Sequence, residues 1–247
     1  MSKTDHIHGI NPVEAALLAR DGRVLHLWLD QRRQDRRIGA LEVMAREQGV
    51  AVEDVPKKTL DGLTRGANHQ GVVARYRGGS AATESDLDRI LEAAGKAPIL
   101  LVLDGVQDPH NLGACLRTAA AAGVNAVIAP KDNAVGLTPI ARKAASGGAE
   151  IVPFIQVTNL ARTLDRLKQA GFWVVGAVGE ADRSLYEVDL KGPLIVAMGA
   201  EGSGLRRLTR ERCDFLAAIP MAASMESLNV SAATAVILFE AVRQRLT

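Results

Sequence analysis

Aromatic residues are scarce in this 247-residue chain: two Trp, two Tyr and four Phe amount to 3% of it. The core must therefore be built from Ala, Val, Leu and Ile, and base recognition by aromatic stacking is not written plainly. Cysteine is scarcer still. Cys115 and Cys213 lie far apart, which argues against a disulfide scaffold. No stretch approaches ~18 uninterrupted apolar residues, so no membrane span is expected. The start, Met1-Ser2-Lys3-Thr4-Asp5-His6, lacks the apolar run of a signal peptide, and a cytoplasmic protein is the simple reading. There is no Gly-Lys-Ser/Thr phosphate-binding motif. A strong excess of one charge is missing too, since 30 Lys and Arg face 28 Asp and Glu for a net of +2.

What is present reads as a globular α/β protein, 47% hydrophobic and 23% charged. The small positive excess sits in the first third. Residues 1–77 carry 13 Lys and Arg against 10 Asp and Glu, while residues 78–247 carry 17 against 18. That distribution fits nucleic-acid contact by the N-terminal part without deciding it. The glycine- and serine-containing stretch that begins at Gly78-Gly79-Ser80 reads as a linker. Residues 1–77 are expected to form one small α/β domain, 78–97 a linker and leading helix, and 98–247 a second domain. In the first, Asn11 before Pro12 suggests a capped helix. Strands are expected at 24–29, 50–55 and 71–76, with a helix over 36–48 closed by Gly49.

After the linker, the runs 99–103, 124–129, 172–177 and 194–199 are apolar without alternation, as parallel strands covered on both faces require. Helical segments at 112–122, 160–170 and 228–245 lie between or after them, so a parallel sheet flanked by helices follows.

Three segments at strand exits carry chemical groups where such sheets bind ligands. The first runs from Asp104 through Asn111-Leu112-Gly113 to Arg117. Asn111 could cap a helix, and Arg117 could reach back to the same mouth; a capped helix with a solvated arginine explains the segment equally well. The second is Gly199-Ala200-Glu201-Gly202-Ser203-Gly204-Leu205. Its three glycines would let backbone N–H groups approach a ligand. A dinucleotide fingerprint is not met, because Arg207 stands where the third glycine belongs. The third joins Ile219-Pro220-Met221 to Ser227-Leu228-Asn229-Val230-Ser231, more small polar side chains than one helix cap needs.

In that order, the three segments resemble the motifs of the SpoU/TrmH class of SPOUT RNA 2′-O-ribose methyltransferases. Residues 98–247 resemble its catalytic domain. The segments His8-Gly9-Ile10-Asn11-Pro12-Val13 and His69-Gln70-Gly71-Val72 resemble its N-terminal substrate-binding domain. Within the class, the layout is most similar to the branch acting on a guanosine of bacterial 23S rRNA. The resemblance implies a parallel-sheet SPOUT domain with a deep trefoil knot, preceded by a small ribosomal-protein L30-like RNA-binding domain. It also implies a homodimer, with S-adenosylmethionine as methyl donor and no metal. The partner would be 23S rRNA or an assembling large ribosomal subunit, at the loop that meets P-site tRNA.

By the same resemblance, Gly199, Ile219 and Leu228 match cofactor-contacting positions, with Ala200, Gly202, Met221 and Asn229 around them. Asn111, Arg117, Glu201, Ser227 and Asn229 are the catalytic candidates. Arg117 would come from the partner subunit. Arginine stays protonated at neutral pH, so a phosphate clamp and alkoxide stabiliser is the better role. Glu201, Ser227 or a water would then take the 2′-hydroxyl proton, and Asn111 would orient the ribose or Arg117. Asp104, Asp108 and His110 could be drawn as metal ligands, but the motif residues suffice without a metal. His6 and His8 are read as part of the N-terminal fold. Arg32, Arg33, Arg36 and Arg37, with Arg206 and its neighbours Arg207, Arg210 and Arg212, are the expected RNA contacts. The competing readings are a tRNA ribose methylase, a non-catalytic ribosome-assembly factor and, more distantly, a Rossmann oxidoreductase.

Overall fold

The structure, a computed structural model, describes residues 4–18, 20, 22–33, 35–77, 82–222 and 227–246, with the side chains of residues 4 and 5 excepted. Segment 78–81, at the start of the expected linker, lies outside the described residues, as does Gln34 within the first arginine cluster. The chain divides into two compact units, Met1–Ser80 and Ala81–Thr247.

The first unit runs β1 (Thr4–His8), α1 (Ile10–Leu18), β2 (Val24–Asp30), α2 (Arg36–Glu47), β3 (Ala51–Val55), α3 (Lys57–Leu63) and β4 (Val72–Arg77). Its sheet has the order β1-β4-β2-β3, with β2 and β3 parallel and the other pairs antiparallel. One face buries Ile7, Leu27, Leu29, Val72, Ala74 and Tyr76 in the same cluster as residues of α1 and α2. The other buries Val55 and Val73 with Leu60 of α3. Helix α2 starts where Asp35 accepts hydrogen bonds from the Arg37 and Ile38 backbone N–H groups. Gly49 follows its end at φ +70°. Asn11 does not cap α1. The helix already begins at Ile10, whose N–H donates to Gln70 Oε1 at 3.1 Å, so a distant side chain serves as the acceptor. Asn11 Oδ1 instead accepts from Arg37 at 2.7 Å.

The second unit opens with α4 (Leu87–Ala93) and continues β5 (Ile99–Asp104), α5 (Pro109–Ala121), β6 (Ala126–Pro130), α6 (Pro139–Ala145), α7 (Gly148–Ile151) and β7 (Phe154–Val157). Then come α8 (Leu160–Gln169), β8 (Trp173–Ala177), β9 (Leu194–Gly199), α9 (Arg207–Arg210), β10 (Phe215–Ala217) and α10 (Val230–Leu246). Six strands pair in parallel in the order β10-β8-β9-β5-β6-β7. Separate apolar clusters cover the two faces, one containing Leu101, Leu103 and Val196, the other Leu100, Val102 and Ile195. This is why the strands read as unbroken apolar runs. The chain steps outward from β5 to β6 and β7, then returns to build β8, β9 and β10 on the other side. The strand order therefore switches direction between β5 and β9, where open α/β sheets leave a crevice at their carboxyl ends.

Helix α5 packs closely on α6, and Gly113 is the reason it can. A Cβ built there would meet Ala141 O at 2.5 Å and Ala145 N at 2.9 Å, both rigid helix backbone. We expect Gly113→Ala to destabilise the second unit by about 1–3 kcal/mol through overpacking, read as a lowered melting temperature. An unchanged melting temperature would mean that the two helices can move apart freely.

Candidate active site

Strands β5 and β9 are neighbours, and Asp104 and Gly199 at their carboxyl ends are paired in register. Asp104 is fully buried. It accepts hydrogen bonds from Arg206 N at 3.0 Å and Arg206 Nε at 2.5 Å. A buried carboxylate thus ties the chain entering α9 to the end of β5.

Between these points the chain makes a tight turn. Ala200 N–H donates to Gly204 O at 3.1 Å, and Gly204 N–H donates to Ala200 O at 2.9 Å. Gly202 and Gly204 take φ +79° and +66°, left-handed values that suit glycine. A Cβ on Gly199 would collide with the backbone of Gly204 and Leu205. The glycines therefore serve first to close the turn, and the Ala200 and Gly204 N–H groups are spent within it. This narrows the expectation that the loop offers its N–H groups to a ligand to those outside this pair of hydrogen bonds. The turn leaves Glu201 exposed at its tip.

Asn229 joins the three segments. Its Nδ2 donates to Asn111 Oδ1 at 3.0 Å and to Glu201 Oε1 at 2.6 Å. Its Oδ1 accepts from Ser231 N at 2.9 Å and Ser231 Oγ at 2.6 Å, which satisfies the start of α10. Both amide protons and the carbonyl are thereby used. Asn111 is not the cap of α5: Asp108 is, accepting from His110 N at 2.9 Å with Pro109 at the first helical position. That leaves Asn111 buried within the first turn, free to meet Asn229.

Two cavities meet here. One, of about 550 Å³, is lined by Ala177, Gly179, Met198, Gly199, Ala200, Ile219, Met221, Ser227 and Leu228, among others. The second, of about 440 Å³, is lined by Asp104, Gly105, Gln107, Asp108, Asn111, Asn133, Ser203 and Arg206, among others. Ala200, Glu201, Gly204 and Val230 line both. Both volumes fall in the range of about 300–1,000 Å³ usual for small-molecule sites. The first combines an apolar wall (Met198, Ile219, Met221, Leu228) with the Glu201 carboxylate; Glu180 lines it too but is paired with Arg210. Such a lining suits a ligand with an apolar ring system and a positive charge, and S-adenosylmethionine, with its adenine and sulfonium, is of that kind.

Not every candidate comes to this point. Arg117 is exposed on α5 and lines neither cavity. Six residues at about 100° each set it about 120° around the helix from Asn111, and Gly148 of α7 packs against its backbone. The reading that it points back to the mouth of its own chain is corrected. Nor are the arginines after the second segment free. Arg206 is held by Asp104, Arg207 by Glu211, Arg210 by Glu180 and Arg212 by Asp165. In the first unit, Arg33 pairs with Asp35 and donates to Gln70 O, and Arg37 bonds Asn11. Among the described residues, only Arg32 and Arg36 of that cluster make no side-chain hydrogen bond or ion pair.

Some lining residues were not expected from sequence. Asn133, at φ +58°, and the Ala177–Glu180 exit of β8 contribute to the cavities; the glycine-flanked apolar run ending at Gly179 was the available signal for the latter. Cys115 lies beneath the site, its Sγ 3.6 Å from Thr234 Oγ1. Burial, with a smaller contribution from the nearby Glu201 charge, pushes its thiol up to about 11. It stays a thiol at neutral pH, unsuited to nucleophilic chemistry. Among the described residues, no three His, Cys, Asp or Glu side chains cluster as a metal site, and no helix is long and apolar enough to cross a membrane.

The SpoU rRNA Methylase family model matches residues 98–239, the span that holds all three converging segments. The chain belongs to this family. A second model, RNA 2′-O ribose methyltransferase substrate binding, matches residues 6–79 of this SpoU protein. It is 55% identical to the 23S rRNA (guanosine-2′-O-)-methyltransferase RlmB of Shewanella oneidensis, over 99% of each chain. It is 53% identical to the RlmB of Pseudomonas aeruginosa, over 99% of this chain and 98% of that one. Its fold is shared by the SpoU methyltransferase AviRb from Streptomyces viridochromogenes in complex with AdoMet, with a TM-score of 0.78 at 24% identity over 98% of this chain and 90% of that one. An rRNA methyltransferase from Sinorhizobium meliloti matches with a TM-score of 0.76 at 26% identity, over 100% and 89%.

Proposed function

We propose that this chain transfers a methyl group from S-adenosylmethionine to the ribose 2′-hydroxyl of a guanosine in 23S rRNA. The observation that carries the chemistry is the junction at Asn229, which holds Asn111 and Glu201 between two adjoining cavities. Full-length likeness to the RlmB enzymes supports the choice of 23S rRNA and guanosine. The loop that meets P-site tRNA is the proposed location.

Gly199, Ala200, Gly202, Ile219, Met221, Leu228 and Asn229 hold the cofactor in the larger cavity. When bound, S-adenosylmethionine supplies an electrophilic methyl on a cationic sulfonium and leaves as S-adenosylhomocysteine. The smaller cavity takes the target nucleotide. Glu201, common to both, accepts the 2′-hydroxyl proton directly or through Ser227 or a water. Asn111, fixed by Asn229, orients the ribose. Positioning then supplies much of the acceleration.

Arg117 completes the site from the partner subunit of a homodimer, clamping the target phosphate and stabilising the developing alkoxide. Its absence from both cavities of its own chain supports this assignment. The catalytic unit is proposed to thread its C-terminal loops as a deep trefoil knot. The N-terminal unit is proposed to be a ribosomal-protein L30-like RNA-binding domain, with Arg32 and Arg36 free for phosphates. Arg33, Arg37 and Arg206 reach RNA only with what their internal pairs leave exposed.

The test is transfer of labelled methyl to purified large-subunit rRNA, to tRNA and to assembling large-subunit particles, followed by nucleoside analysis. 2′-O-methylguanosine in rRNA, with tRNA unlabelled, is expected. Label confined to tRNA, or none in any of the three, would overturn the reading.

A further inference from the structure

The two faces of the N-terminal sheet differ. One is filled by α1 and α2, whereas α3 covers only part of the other, around Val55 and Val73. On the remainder, strand pairing aligns residues far apart in sequence: His6 of β1 and His26 of β2 are both register partners of Arg75 on the intervening β4. Trp28 follows two residues after His26 on the same face. The His26 and Trp28 ring centroids are 4.5 Å apart with planes tilted by 39°, and His6 meets Trp28 edge-on at 5.5 Å. Glu53 of β3 holds the group from the side, accepting from Trp28 Nε1 at 3.1 Å and lying 3.2 Å from His26 Nε2.

This is an aromatic surface in a chain with almost no aromatics, and two exposed guanidiniums border it. Arg75 and Arg77 alternate along β4 on this face, and among the described residues neither makes a side-chain hydrogen bond or ion pair. Glu53, the carboxylate beside the rings, is engaged with Trp28 and His26. His6 is exposed while Trp28 and His26 are half-buried, so the group offers part of its ring surface beside two arginines that make no internal pair. That arrangement is complementary to unpaired nucleotides: bases stack on the accessible ring surface and phosphates meet the guanidiniums. Double-helical RNA hides its base faces and would gain only the charge term. A second apolar protein surface would leave the guanidiniums without anions.

We propose that the open face of the N-terminal sheet, centred on Trp28 with His6, His26, Arg75 and Arg77, is a stacking platform for unpaired RNA nucleotides. It is separate from the Arg32–Arg37 loop. This deepens the RNA-methyltransferase reading, because it assigns the N-terminal unit a hold on single-stranded loops of the substrate. It also changes the part of His6 from a structural residue to a contact residue.

The full-length Trp173→Phe protein leaves Trp28 as its single tryptophan. Its emission should be quenched by a single-stranded hexaribonucleotide and by a 23S rRNA transcript, and far less by a blunt RNA duplex. Trp28→Leu, which keeps apolar bulk beside α3, should weaken hexaribonucleotide binding about tenfold or more. Arg75→Ser should lower the salt slope of binding by about one. Because Arg75 is exposed, that variant should melt like the parent, which guards against a folding artefact in Trp28→Leu. Unchanged emission with RNA and unchanged affinity of Trp28→Leu would overturn the platform, as would emission that follows protein concentration rather than RNA. These are binding measurements and do not depend on turnover. Methyl transfer to rRNA without a Trp28 response sinks the platform alone, and a Trp28 response without methyl transfer sinks the enzyme reading alone.

Discussion

Mixing an Arg117→Ala protein with a Glu201→Gln protein is expected to restore methyl transfer that neither performs alone. Each variant by itself should lose about 10²-fold or more in turnover, the usual cost of removing a charge-stabilising group or a general base. Glu201→Gln keeps a carbonyl oxygen for Asn229 to donate to, so the junction and the cofactor cavity survive while proton acceptance is lost. Cofactor affinity should therefore stay near normal. On Arg117, the geometry is specific. It sits about 120° around α5 from Asn111, with α7 packed against its backbone, and it enters neither cavity. If a symmetric dimer supplies it across the interface, a mixed dimer contains one site carrying both substitutions and one site with neither. Random reassortment would then return about a quarter of the wild-type rate. The measurement is methyl transfer after co-refolding or prolonged co-incubation, against each variant alone. Continued inactivity of verified mixed dimers would mean that Arg117 serves its own chain, and the composite site would be wrong.

The second large effect is on stability. Arg206→Ala should destabilise the catalytic unit by about 3 kcal/mol, because it leaves the Asp104 carboxylate buried with one hydrogen-bond donor fewer and no countercharge. At about 2–4 °C per kcal/mol for a unit of this size, a drop of roughly 6–12 °C in melting temperature should follow. Asp104→Leu combined with Arg206→Leu should recover part of the loss, since removing both charges ends the desolvation penalty. From the sequence, Arg206 is an RNA contact. If Arg206→Ala instead melts like the parent and only raises KM for rRNA, that reading holds and the pairing with Asp104 contributes little.

How legible each part was depended on the range of the interaction that decides it. The apolar runs ending at Asp104 and Gly199 announced their strands, because a strand covered on both faces needs no alternation. Strand β7, at four residues, is too short to show a pattern, and β10, at three, is marked in the sequence only by the Ile219-Pro220-Met221 segment at its exit. Strand β1, Thr-Asp-His-Ile-His, is a polar edge with one residue in the core. The chemical groups of the site could be picked out as residue types, but their duties could not. Asn111 and Asn229 are 118 positions apart, and no local spacing tells that one amide will serve the other and Glu201 together. The loop glycines invited a ligand-cradling reading because a close approach to a ligand and a close approach to one's own backbone demand the same absence of a Cβ.

By itself, the sequence determined the α/β class, the position of the three chemical segments at strand exits and their likeness to the SpoU enzymes. Each of these is recorded in neighbouring residues or in short motifs. Tertiary structure alone decided which of those residues meet. It took Arg206 for Asp104, gave Asn111 to Asn229, and turned Arg117 away from the site on its own chain. It also brought His6, His26 and Arg75 into one row. The physical reason is that contacts depend on distance in space: a hydrogen bond or ion pair forms only where two groups come to about 3 Å, and side chains share a face only where register and rotation put them there. Strand pairing and helix rotation set that distance, not separation along the chain.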